Sequence, residues 1–156
     1  MATINANFSL GSDVSSYGSS AQNSMTMTKA GTIAGLDQAT GLVRKTLTST
    51  NEVDLLVVGA GVVADVTATK SAKLYIKNVN TDSSEYFTVG LGKPSGTATK
   101  QAFAVTDDAN RSVEIGRLYS GDWMIIPWVA ASDEHDVFVK PSVSTSMVIE
   151  YMVFFE

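Results

Sequence analysis

From Ala72 onward the chain alternates apolar and polar residues in short runs separated by turn sequences, a pattern that leaves little room for helix. Lys73-Leu74-Tyr75-Ile76-Lys77-Asn78-Val79 has the period of two expected of a strand with one buried face. Across the polar turn Thr81-Asp82-Ser83-Ser84 follows Tyr86-Phe87-Thr88-Val89-Gly90-Leu91. Ser112 to Leu118 leads through Ser120-Gly121-Asp122 into Trp123-Met124-Ile125-Ile126, and Val137 to Lys140 and Met147 to Phe155 complete the series. Regularly spaced short strands with turn signals between them predict an all-β single-domain sandwich or barrel.

Upstream the same reading continues with larger gaps. Ile4, Ala6, Phe8 and Leu10 alternate in a first strand, Thr3 to Leu10, and Met25 and Met27 alternate with Thr in a second, Ser24 to Lys29. Between them Gly11 to Asn23 is rich in Ser and Gly, which suits a surface loop or an arm that orders against a neighbouring subunit. Ala30 to Gly41 reads as a further loop in which Ile33 and Leu36 are the pinning residues, and Leu42 to Thr48 resumes strand character. The expected organisation is an N-terminal strand and flexible arm over 1–28, followed by a β-sandwich over 29–156. A short helix is an option between Thr97 and Val105, against the Thr-rich composition there.

Composition narrows the function. Only 17% of the 156 residues are charged, and 11 Lys and Arg against 16 Asp and Glu give a net charge of -5. A nucleic-acid partner calls for a clustered basic patch, and the nearest approach to one is the pair Arg44-Lys45, read as an exposed strand edge. The chain contains no cysteine, so disulfides, thiolate nucleophiles and zinc-thiolate centres are excluded. The N-terminal residues have neither the positive start nor the apolar stretch of a signal peptide. No run approaches bilayer length, so the expectation is a soluble protein with no membrane partner.

Two stretches imitate functional motifs. Val53 to Val58 runs into Gly59-x-Gly61-x-x-Ala64, the spacing of a dinucleotide fingerprint whose glycines let a pyrophosphate sit at a helix N-terminus. The continuation Asp65-Val66-Thr67-Ala68-Thr69 is β-branched and lacks a helical stripe, so no cofactor is assigned. An antiparallel hairpin turning at Gly59-Ala60-Gly61 into a strand from Val62 to Thr67 is expected instead. His135, the lone histidine, lies in Ser132-Asp133-Glu134-His135-Asp136. Adjacent residues rarely converge on one ion, so this reads as an acidic loop rather than a metal site. Thr106 to Asn110 lacks the Gly and distal Glu of a calcium loop and reads as a turn. There is no Gly-x-Ser-x-Gly elbow to supply a nucleophile, and no catalytic residue is assigned. The sequons at Asn7 and Asn110 read as chance matches without a secretion signal.

Tyr119, Trp123 and Trp128 gather around Ser120-Gly121-Asp122 and are candidates for stacking on a sugar or anchoring an interface. Trp123 is expected in the core, Trp128 is left open, and Pro127 places the strand end at a sheet edge or bend.

The succession Lys73-Leu74-Tyr75-Ile76-Lys77-Asn78, Phe87-Thr88-Val89-Gly90, Leu118-Tyr119-Ser120-Gly121-Asp122 and Val148-Ile149-Glu150-Tyr151 resembles small β-sandwich virion proteins of tailed bacteriophages, most of all capsid decoration (cement) proteins. The likeness covers roughly Ala72 to Glu156, with Ser120-Gly121-Asp122 where Pro-Gly-Asp is expected. The resemblance implies a jelly-roll-like sandwich without enzymatic activity, often trimeric, that clamps neighbouring major capsid subunits in a virion assembled in the host cytoplasm. A tail, neck or fibre-base component is the nearest alternative, and a carbohydrate-binding module is the alternative from another class. The contact candidates are Ile4, Phe8, Tyr17, Met25, Met27, Ile33, Leu36 and Trp128.

Overall fold

The computed structural model describes residues 3–10, 21–28, 38–63, 66, 72–92, 112–131 and 135–155. The chain divides into two compact units, Met1–Gln38 and Ala39–Phe155. The first contains β1 (Thr3–Leu10) and β2 (Ala21–Thr28), an antiparallel two-stranded ribbon in register from Thr3↔Thr28 to Leu10↔Ala21. The second strand begins before Ser24 because Ala21, Gln22 and Asn23 pair with Leu10, Ser9 and Phe8.

The remaining strands are β3 (Gln38–Ala39), β4 (Val43–Leu47), β5 (Val53–Leu56), β6 (Ala72–Asn78), β7 (Tyr86–Gly92), β8 (Ser112–Tyr119), β9 (Trp123–Trp128), β10 (Val137–Pro141) and β11 (Met147–Phe155). They form two antiparallel sheets, β5-β10-β7-β8 and β11-β6-β9, with β3 and β4 both pairing β11. From β4 to β11, consecutive strands change sheets at every connection except β7 to β8. Counted from β4, one sheet therefore runs first-eighth-third-sixth and the other second-seventh-fourth-fifth. This is an all-β sandwich.

Strand parity builds the core. Ala72, Leu74, Ile76 and Asn78 of β6 alternate with Lys73, Tyr75 and Lys77, and the first set is buried. Opposite them on β11, Met147, Ile149, Tyr151, Val153 and Phe155 face the same way. These meet Phe87 and Val89 of β7, Val137 and Val139 of β10 and Leu118 of β8 in one apolar cluster shared by both sheets. Each fully buried side chain of this size contributes about 1.5–3 kcal/mol. At the sheet edge Lys45 donates from Nζ to the carbonyl oxygen of Asp54 at 3.0 Å, tying β4 to β5 across the sandwich.

The fingerprint-like segment corrects the expected hairpin. Leu56 of β5 pairs with Val137 of β10, not with a strand from Val62, and Gly61–Val63 is a single 3-10 turn. Gly59 and Gly61 have φ of +72° and +58°, so the glycines serve a left-handed turn. Val63 and Val66 then enter the core. The stretches 97–105 and 106–110 lie outside the described residues.

Candidate functional site

Four of the contact candidates, Ile4, Phe8, Met25 and Met27, come together on the ribbon. The register sets Ile4 opposite Met27, Ala6 opposite Met25 and Phe8 opposite Asn23. In the sequence Ile4, Ala6, Phe8 and Leu10 alternate with Thr3, Asn5, Asn7 and Ser9, and Met25 and Met27 alternate with Ser24, Thr26 and Thr28. Tyr17, Ile33 and Leu36 lie outside the described residues.

Trp128 is placed differently from the other candidates. It is 4% exposed and packs in the core, with its indole N–H donating to the carbonyl oxygen of His135 at 2.8 Å. It offers no contact surface. Trp123, expected in the core, is 43% exposed. It pairs with Lys77, an outward position of β6, whereas Met124, Ile126 and Trp128 pair with the inward Ile76, Leu74 and Ala72. Tyr119 pairs with Tyr86 on the outer side of the other sheet, since Leu118 and Phe87 point into the core. The three aromatics thus occupy the core and the outer faces of two different sheets, and they do not combine into one flat stacking platform.

The outer face around Tyr86 is a compact polar-aromatic cluster. Tyr86 and Tyr119 have ring centroids 5.2 Å apart, and the Arg117 guanidinium lies 4.7 Å above the Tyr86 ring. Glu114 sits 3.7 Å from Arg117 although the two are three residues apart. A bulge between their partners Gly90 and Thr88 returns both to the same face.

Three of the segments that carry the resemblance meet at one end of the sandwich. Asn78 occupies an inward position of β6 and is wholly buried, a polar residue where the alternation calls for an apolar one. Its Nδ2 donates to the Leu118 carbonyl oxygen at 3.0 Å, and its Oδ1 accepts from the main-chain N–H and side-chain amide of Asn80. The main chain of Asn78 is bonded in turn to Gly121 and Asp122, and Ser120 Oγ donates to the Asn80 carbonyl oxygen. Asn80 Oδ1 accepts from Val148 N, which brings in β11. Gly121 has φ of +81°, and Asp122 Oδ2 caps the turn by accepting from Tyr119 N. This junction joins β6, β8, β9 and β11. The Asn78 and Asn80 side chains are engaged within it, so the junction locks these strands together.

The electrostatic features elsewhere are structural in the same sense. Glu150 is buried on the outer side of β11, where Arg44 Nε donates to it at 2.8 Å and the Tyr75 hydroxyl donates at 3.3 Å. Burial first, and then the Glu150 carboxylate, raise the pKa of Tyr75. Burial alone raises that of Tyr151. Of the acidic loop, His135 forms a short turn and the buried Asp136 accepts from Val58 N at 2.7 Å through Oδ1. Among the described residues no group of three or more His, Asp and Glu side chains is placed to hold a metal ion. No described helix is long and apolar enough to cross a membrane.

No protein-family model and no curated protein matches the chain. What the structure adds to the candidate set is the exposure of Val113, Ile115 and Tyr119 on β8, with Val113 paired to Leu91 and Tyr119 to Tyr86 on opposite sides of the sheet and Ile115 at the bulge between them. The signal was in the sequence as Val113-Glu114-Ile115, where alternation marks neither the bulge nor which face is outside.

Proposed function

We propose that this protein is a non-enzymatic structural component of a tailed-bacteriophage virion, a capsid decoration (cement) protein that bridges neighbouring major capsid subunits and associates with its own copies. The observation that carries the proposal is that the chain has two units, a β1–β2 ribbon whose sequence alternates apolar with polar residues and an all-β sandwich. The sandwich supports reading the fold as a jelly roll, because its strand order is that of two interleaved Greek keys. On this reading the sandwich is the rigid body, and the ribbon supplies apolar area for subunit contacts on the shell. The junction around Asn78 supports the resemblance, since the strand ending in Asn and the Gly-Asp turn that define it are bonded to each other.

Deleting residues 2–27 tests the assignment of the ribbon. Loss of binding to shells assembled from the major capsid protein of the same virus, with the sandwich still folded by circular dichroism, is the expected result. Unchanged binding would remove the ribbon from the contact. Immunogold labelling of intact particles separates the head from the tail, neck or fibre base, and label confined to the tail would replace the cement reading with a tail component.

A further inference from the structure

The two ends of the sandwich differ in chemistry. The connections from β4 to β5, β6 to β7, β8 to β9 and β10 to β11 lie at one end, and every exposed residue in them is Ser, Thr, Asn, Asp or Gly. Asn78 closes the core there, with its side chain bonded to Leu118 and Asn80. Tyr119 and Trp123, beside the turn from β8 to β9, are strand residues on the two outer faces. At the opposite end β5, β7, β9 and β11 stop. Hydrogen bonds from Val58 N to Asp136 and from Trp128 to His135 hold these strand ends together. Among the described residues of the connections at this end, the exposed ones are Val57, Gly59, Ala60, Gly61, Val129 and Ala131, without a polar side chain. Val57 is 39% exposed and Val129 41%. Val113 joins them: it pairs with Leu91 on the side of the sheet that Phe87 and Val89 turn to the core, yet it is 60% exposed. The chain also enters the sandwich here, since β3 pairs with β11 and Thr40 N donates to the Val153 carbonyl oxygen near the last residues of that strand.

We propose that the sandwich docks end-on against the shell, with Val57, Val113 and Val129 in the contact and the Asn78 end facing solvent. The choice of the shell rests on the course of the chain. The ribbon, to which the shell contact is given above, is joined to the sandwich through β3, at the apolar end. End-on docking lets both contacts start from that end. Docking by the polar end would set the junction back by the length of a strand, about 23 Å for the seven residues of β6. The chemistry agrees, because the centre of an interface is apolar and depleted of charge. This docking rests on the shell reading above and adds the end of the sandwich that carries it.

The chain contains no cysteine, so one introduced thiol reports one position. Val57→Cys and Val129→Cys probe the apolar end, and Thr50→Cys and Ser83→Cys the polar end, all at exposed positions. Maleimide labelling of each full-length variant is followed free and bound to shells of the same virus's major capsid protein, with the shell thiols blocked beforehand. Binding is expected to slow labelling at positions 57 and 129 by about tenfold or more, as a desolvated interface centre requires, and to leave 50 and 83 unchanged. Slowing at 50 and 83 instead, or at none of the four, in protein that does bind would overturn this docking and leave the shell reading standing. Wild type that binds no shell would defeat the shell reading and the docking with it. Labelling at 57 and 129 that slows with rising protein concentration in the absence of shells would give this end to a second copy, and so overturn the shell as its occupant. Val57→Asp and Val129→Asp, folded by circular dichroism, should each weaken shell binding about tenfold, and Ser83→Asp should not; wild-type binding by both apolar-end variants would also overturn the docking.

Discussion

Gly90 is where a single methyl group should do the most damage. It lies in β7 beside the bulge of β8, and the Phe138 side chain of the neighbouring strand β10 covers it on the outer face of the sheet. A Cβ placed there would run into the Phe138 ring, with Cε1 at 2.5 Å, and would lie 2.8 Å from the Val113 carbonyl oxygen. The ring is buried, and the carbonyl belongs to main chain, so neither yields as a flexible side-chain tip would. Overpacking of this kind costs about 1–3 kcal/mol. Turning the ring out to solvent instead forfeits about 1.5–3 kcal/mol of burial. Gly90→Ala should therefore destabilise by roughly 2 kcal/mol, a fall of about 8 °C in Tm for a unit of this size. Urea titration of the wild type, Gly90→Ala, Phe138→Ala and the double variant measures it. Phe138→Ala alone should cost about 3–5 kcal/mol. With the ring gone the closest clash is relieved and the Val113 carbonyl oxygen alone still crowds the added methyl, so the double variant should fall short of the sum. A Gly90→Ala protein within about 0.5 kcal/mol of wild type, or fully additive costs, would refute the argument.

Asn78→Ala leaves the Leu118 carbonyl oxygen and the Asn80 amide short of their buried partner, and a loss of about 1–3 kcal/mol is expected in urea unfolding. Trp128→Ala should cost about 3–5 kcal/mol against less than about 1 for Trp123→Ala. Iodide should quench mainly Trp123, which Trp123→Phe would show by abolishing the quenched fraction. Alkaline stability follows from Tyr75 and Tyr151, whose pKa values are raised in the fold. Both phenols keep their protons longer folded than unfolded, so their contribution is complete below the unfolded pKa of about 10 and is lost as pH rises through the folded values. Tm should fall above that pH, and Tyr75→Phe should flatten the fall; an identical slope in the variant would exclude Tyr75 as a source.

Strand identity was legible wherever burial is one-sided. Lys73 to Asn78 alternates so regularly that parity alone separates core from surface in β6. Partner choice was not legible. Leu56 finds Val137 some eighty positions away, and nothing near Gly59 and Gly61 distinguishes that pairing from a local hairpin. Trp123 and Trp128 show the same limit, since alternation puts Met124, Ile126 and Trp128 together but leaves open which set faces inward. Outer-face burial was invisible for a further reason. Phe138 and Glu150 sit at outward parity yet are covered, Phe138 over Gly90 and Glu150 beside Arg44 and Tyr75. Asn78 was the readable exception, a polar residue at an apolar position of its strand.

The central claim is that this chain binds a capsid shell. Co-sedimentation of the purified protein with empty shells of the same virus's major capsid protein, titrated to saturation, measures it directly. The account predicts a fixed number of copies per shell and an increase in the temperature at which the shells disassemble. Protein that stays in the supernatant at every ratio, or that binds without raising that temperature, would contradict it.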